Sequence, residues 1–125
     1  MQKQLKQLSR LRQALRRLLA ELERVVKVAF GRPALVKGNV YELARKCGKP
    51  SCACNRGELH RSMVLSWSEQ GKSRLFSIPA HRVIELREKS KQYLRFRRAR
   101  AEVSKIARQI VRVLDQIEAL RREEP

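Results

Sequence analysis

The chain has 125 residues and carries 30 Lys and Arg against 12 Asp and Glu, a formal net charge of +18. That length suits one compact unit with extensions, and so large an excess of one sign suits a polyanionic partner, with nucleic acid ahead of an anionic membrane surface. No apolar run is long enough to span a bilayer, no signal-peptide core is present, and three cysteines cannot form an evenly paired disulfide framework.

Residues 1–32 form the first predicted segment. Leu8, Leu11, Leu15, Leu18, Leu22, Val25 and Ala29 follow alternating steps of three and four, the seam of a heptad repeat. Leu5, Leu19 and Val26 widen the stripe on one side. The stretch could pass for a basic transit peptide, but the sustained repeat with Glu21 and Glu23 favours a structural helix over about residues 2–30. Gly31 and Pro33 are the expected stop.

Residues 33–78 change character. "LVKGNVYEL" has the β-branched and aromatic content of a strand, and "SMVLSWSE" alternates, with Met63, Leu65 and Trp67 on one face. "EQGK" reads as a turn and "SRLFSIP" as the returning strand of a hairpin. So small a three-stranded sheet is marginal alone and needs a clamp.

Residues 79–125 predict a second, longer helix, over about 80–122, with Pro79 suited to a first helical position. Phe96, Ala99, Val103, Ile106, Ile110, Val113, Ile117 and Leu120 make one seam. Val83, Leu86, Ser90 and Tyr93 make an earlier stripe out of phase with it, so a local change in supercoil or in packing partner is expected near residues 93 to 96. The order of segments predicts an α+β, mostly α fold. Two long antiparallel helices, coiled-coil-like, flank a small zinc-clamped three-stranded β head, and the seams invite a homodimer or a partner protein.

The clamp is predicted in "KCGKPSCACNRGELH". Cys47, Cys52, Cys54 and His60 gather every cysteine of the chain and one of its two histidines within a short stretch. Three thiolates and an imidazole are the donor set of a tetrahedral, structural Zn²⁺. Arg45, Lys46, Lys49, Arg56 and Arg61 surround them in sequence and favour the thiolate forms. Three reduced thiols without metal, or an iron–sulfur site, are the alternatives. Glu58 is the sole acid within the cluster, and neither a deaminase nor an HExxH pattern is present, so no catalytic residues are assigned. His81 reads as an exposed helix-start residue.

Cys47, Gly48, Lys49, Pro50, Cys52, Cys54, Gly57 and His60, followed by a strand, a "GK" turn, a second strand, "IP" and a long helix, resemble an uncharacterised bacterial family. It is a domain of unknown function with a signature close to RCGKPxCxCxxGxxHGPY. The resemblance covers about residues 34–98 and, more loosely, the final helix. It implies a DNA-linked role, because members of such a family are often encoded near mobile genetic elements. Arg61, Ser62 and Met63 stand where Gly-Pro-Tyr is usual.

Basic residues outnumber acidic ones in all three segments. Arg95, Arg98, Arg100, Lys105, Arg108 and Arg112 lie on the second helix, and Arg10, Arg17 and Arg24 on the first. With Arg56 and Arg61 on the head, these are the candidate phosphate contacts. Asn39, Asn55 and Lys72 are further candidates for base edges. The expected function is a non-enzymatic nucleic-acid-binding accessory protein, with DNA favoured over RNA, no membrane, and a cytoplasmic, nucleoid-associated location. A coiled-coil interaction subunit of a recombinase or ribonucleoprotein, or a small RNA-associated protein, is the alternative.

Overall fold

The computed structural model describes residues 1–125. The elements in order are helix α1 (Gln2–Val26), strands β1 (Asn39–Arg45), β2 (His60–Glu69) and β3 (Lys72–Ser77), and helix α2 (Val83–Arg121). They form an α+β chain that divides into two compact units, Met1–Arg32 with Arg95–Pro125, and Pro33–Leu94. Helix α2 crosses the division. No helix is long and apolar enough to cross a membrane.

The second unit is built on a three-stranded antiparallel sheet in the order β1-β2-β3. Across its central strand Val40 pairs with Leu65, and Leu65 pairs with Phe76, so these residues share one face. On that face Leu65, Ile78 and Leu86 form the buried core, with Val36, Val40, Met63, Trp67 and Val83 packed on it. The early stripe of α2 is thus the lid of the sheet. Ser90, the polar member of the stripe, is buried and donates its hydroxyl to the Gly38 carbonyl. The Val36 amide donates to the Lys89 carbonyl at 3.2 Å. Two bonds therefore tie the lead-in to β1 onto the helix.

Gly38 explains why β1 begins at Asn39 rather than at the predicted residue 35. Its φ is +133°, and a Cβ there would lie 2.7 Å from the Ser66 carbonyl oxygen. The strand can start only after this bend. The hairpin turn has φ of 50° at Gln70 and 77° at Gly71, the two left-handed positions of a two-residue turn matched to strand twist.

In the first unit the predicted seams face inward except at Ala29, which is exposed. Val25 and Ile106 are buried, and Leu8, Leu11, Leu15, Leu18, Leu22, Ile110, Val113, Ile117 and Leu120 are half-buried. Leu11 and Leu120 line one cleft, Leu18 and Val113 a second, and Val26 and Phe96 a third. The facing residues rise along α1 as they fall along α2, so the two helical segments run antiparallel. Leu5 and Leu19, predicted to widen the stripe, are instead exposed, at 59% and 50%.

Two helix ends differ from expectation. α1 gives way at Lys27 to a 3-10 turn through Phe30, and Gly31 is extended rather than left-handed. Pro79 precedes a short 3-10 turn at Ala80–Arg82, and the α-helix starts only at Val83.

Candidate metal centre

The loop between β1 and β2 carries the cysteines, and the sheet supplies its frame. The last pair of the β1–β2 ladder is Arg45 with His60. Cys47 therefore lies two residues beyond one strand end, and His60 begins the other. Between them the chain must fold back within twelve residues. Gly48 and Gly57 take φ of 86° and 102°, conformations that favour glycine. The Cys52 amide donates to the Lys49 carbonyl at 3.1 Å, and a 3-10 turn spans Ala53–Arg56. The Asn55 side chain then locks the loop, donating to the carbonyls of Lys49 at 2.8 Å and Pro50 at 3.1 Å.

This folding brings the four predicted ligands together. One donor atom each from Cys47, Cys52, Cys54 and His60 lie within 4.8 Å of one another. Cys47 Sγ is 3.7 Å from Cys54 Sγ, and Cys52 Sγ is 3.1 Å from His60 Nε2. A disulfide would need about 2.05 Å, and all three thiols are free. A tetrahedron with metal–sulfur arms of about 2.3 Å has sulfur–sulfur edges of about 3.8 Å and sulfur–nitrogen edges of about 3.5 Å. The Cys47–Cys54 separation matches such an edge, the Cys52–His60 separation is about 0.4 Å shorter than one, and the four residues could hold a metal.

The surroundings differ from one thiol to the next. Cys54 is fully buried, Cys52 is half-buried, and Cys47 and His60 are exposed. The Cys54 backbone amide, then the His60 ring, stabilise the Cys52 thiolate and bring its pKa from 9.0 down to about 6. For Cys54 the Cys47 amide, 3.4 Å from its sulfur, favours the thiolate. Burial and the two neighbouring sulfurs outweigh that amide and push the thiol up. One ready thiolate thus sits beside a thiol that a cation would have to deprotonate.

A family description, a domain of unknown function named DUF6788, matches residues 5–88. The chain belongs to the DUF6788 family. The DUF6788 match takes in nearly all of α1, the sheet, the whole cysteine loop and the start of α2. It therefore begins earlier than the resemblance at residue 34, and it ends before the basic run at residue 95. Comparisons with curated proteins and with solved structures give no match.

The candidate phosphate contacts are all at the surface. Arg10, Arg17, Arg24, Arg56, Arg61, Arg95, Arg98, Arg100, Lys105, Arg108 and Arg112 are exposed. Arg61 is partly engaged, its guanidinium 2.8 Å from Glu42 across the sheet. Arg108 donates to the Ser104 hydroxyl at 2.9 Å. Asn55, a candidate base reader, has its amide nitrogen committed inside the loop. Its role there left no periodic signal in the sequence, although asparagine beside glycine and proline is a turn-forming combination.

Proposed function

We infer that the protein is a non-enzymatic nucleic-acid-binding accessory module whose β head is held by a structural zinc ion. The observation that carries the metal half is the convergence of three sulfurs and one imidazole, whose donor atoms lie within 4.8 Å of one another. Four protein ligands close the coordination shell of Zn²⁺, which is the arrangement of a structural rather than a catalytic site. His60 would bind through Nε2, which already faces the cluster. The fully ligated site would carry one negative charge amid Arg45, Lys46, Lys49, Arg56 and Arg61.

The nucleic-acid half rests on a net charge of +18 displayed on exposed side chains. A surface meant only for solubility mixes its signs. DNA is the favoured polyanion, a mobile-element context is consistent with the resemblance, and nucleoid association would follow. The helices of the first unit are read as a short coiled-coil hairpin. A second reading, an interaction subunit, draws on Leu5, Leu19, Val111 and Leu114, which stay exposed beside the seams. They would seat a second copy or a partner protein.

Two measurements test this. Purified protein should contain one zinc per chain, and Cys52→Ala should lose it. Affinity for duplex DNA should need no partner protein and should fall about 10³-fold or more between 50 and 200 mM salt. A zinc-free wild type, or DNA affinity indifferent to salt, contradicts the respective half. Salt-insensitive capture of a partner protein would favour the interaction subunit.

A further inference from the structure

The basic residues of the helical unit are not spread evenly around it. Positions seven apart on an α-helix return to within about 20° of one direction and lie about 10.5 Å apart. Arg10, Arg17 and Arg24 therefore form a straight row on α1, and Arg98, Lys105 and Arg112 form another on α2. All six are exposed.

The clefts between the helices fix how the rows relate. Arg17 and Arg112 line the same cleft, whose floor includes Leu18 and Val113. Arg10 lines the next cleft toward the start of α1. Because the helices run antiparallel, seven residues forward from Arg17 correspond to seven back from Arg112. That sets Arg24 at the level of Lys105, Arg10 at the level of Ala119, and Arg98 beyond the end of α1, so the rows face each other at two levels. The two rows thus flank one side of the seam. Glu21 is the acid that lines the shared cleft, and it faces Arg24 at 4.0 Å. Arg100 lines a different cleft, with Val26. Its direction on α2, like that of Arg16 on α1, lies on the opposite side of the seam.

We propose that this side of the helical unit is a two-railed cradle for double-stranded DNA, each rail following one of the two phosphate rows that border a groove. The proposal rests on the nucleic-acid reading above and specifies its surface and its ligand. Packed helices lie about 8–10 Å apart, and long arginines splay outward from them. Outward splay sets the guanidinium rows wider apart than the axes, toward the major-groove width of B-form DNA, about 12 Å, rather than the minor-groove width, about 6 Å. A single strand offers one phosphate row and is held by stacking on aromatic rings. Neither aromatic residue of this unit, Phe30 or Phe96, lines the two clefts of the rows. A-form RNA presents a deep, narrow major groove and a wide, shallow minor one, a poorer match to two rails at this spacing.

The test compares two double variants of the full zinc-loaded chain, each reversing two exposed charges. Arg17→Glu/Arg112→Glu removes one rung of the cradle, and Arg16→Glu/Arg100→Glu changes the opposite side by the same net charge. Far-UV circular dichroism checks that both stay helical, and Arg17→Gln/Arg112→Gln serves if the first does not. Binding to a 20-base-pair DNA, the same single strand and an RNA duplex is measured by fluorescence anisotropy across salt. The cradle variant should lose at least about tenfold in affinity for the DNA duplex, and its log–log salt slope should shrink by about 1.8. The control should lose less than about threefold. Equal losses from both variants, no loss from the cradle variant, or single-stranded DNA or RNA duplex bound as tightly as the DNA duplex would each overturn the cradle. Wild-type protein that binds none of the three would instead overturn the nucleic-acid reading itself.

Discussion

Cys52 and Cys54 sit one residue apart yet occupy opposite chemical positions. The Cys54 amide and the His60 ring hold Cys52 as a thiolate down to about pH 6, while Cys54 is buried and its thiol pushed up. In metal-free protein, iodoacetamide should therefore modify Cys52 well before Cys54, at a rate that climbs through about pH 6 and levels above it. Mass spectrometry of peptides after timed quenching reads the order, and bound zinc should protect both. The sign for stability follows from the same shift. The folded Cys52 pKa lies below the unfolded 9.0, so its contribution is fully present above pH 9 and is lost as pH falls through about 6. In metal-free protein acid should therefore loosen the head, and in zinc-bound protein the same protonation is competition with the metal. Gly38 is the other residue on which the head depends. Gly38→Ala forces a Cβ to 2.7 Å from a backbone oxygen at a φ of +133°. It should cost about 2 to 3 kcal/mol, read from the urea midpoint, and it should disturb the Ser90 bond to the Gly38 carbonyl.

At the scale of elements, α2 serves two partners in turn, and its sequence says so. Val83, Leu86, Ser90 and Tyr93 follow one phase and are buried or half-buried in the unit that ends at Leu94. The seam from Phe96 follows another phase and belongs with α1. A shift of phase marks a change of partner because a helix face can point only one way at a time. That switch, the seams and the hairpin were legible because periodicity records burial. The Gly38–Ser90 bond and the Asn55 lock were not, since one side chain bonded to one carbonyl leaves no repeat. Val64 was obscure for a different reason. It points to the sheet face opposite the core, yet it is fully buried at the centre of the middle strand, paired with Tyr41 and Ser77. Two element-level changes follow. Ile106, 1% exposed, should cost about 2 to 5 kcal/mol as alanine, while Val111, 55% exposed, should cost under about 0.5. Gln70 holds a left-handed φ of 50° without being glycine or asparagine. Gln70→Asn should therefore stabilise the hairpin, by about 0.5 kcal/mol in thermal or urea unfolding.

For the molecule as a whole, the proposed zinc would have the two units stabilised by different means. The sheet unit has a buried core of three residues on one face, Leu65, Ile78 and Leu86, with partly buried neighbours. A three-stranded sheet with so little apolar burial is marginal, and a structural zinc supplies on the order of 10 kcal/mol in small metallo-domains. The helical unit contains none of the four candidate metal ligands. Its stability comes from the seams, which bury Val25 and Ile106 and half-bury their neighbours. Removing the proposed zinc should therefore act on one unit and leave the other. On titration with a strong zinc chelator, near-ultraviolet circular dichroism from Trp67, which packs on the sheet core, should collapse. The helical signal at 222 nm should fall only by the share of α2 that lies over the sheet. Amide exchange should rise across residues 39–77 and stay slow around Ile106. Restored zinc should reverse both changes. Loss of the whole helical signal with the metal would show instead that the seams cannot hold without the head, and the division of labour between ion and heptad would be wrong.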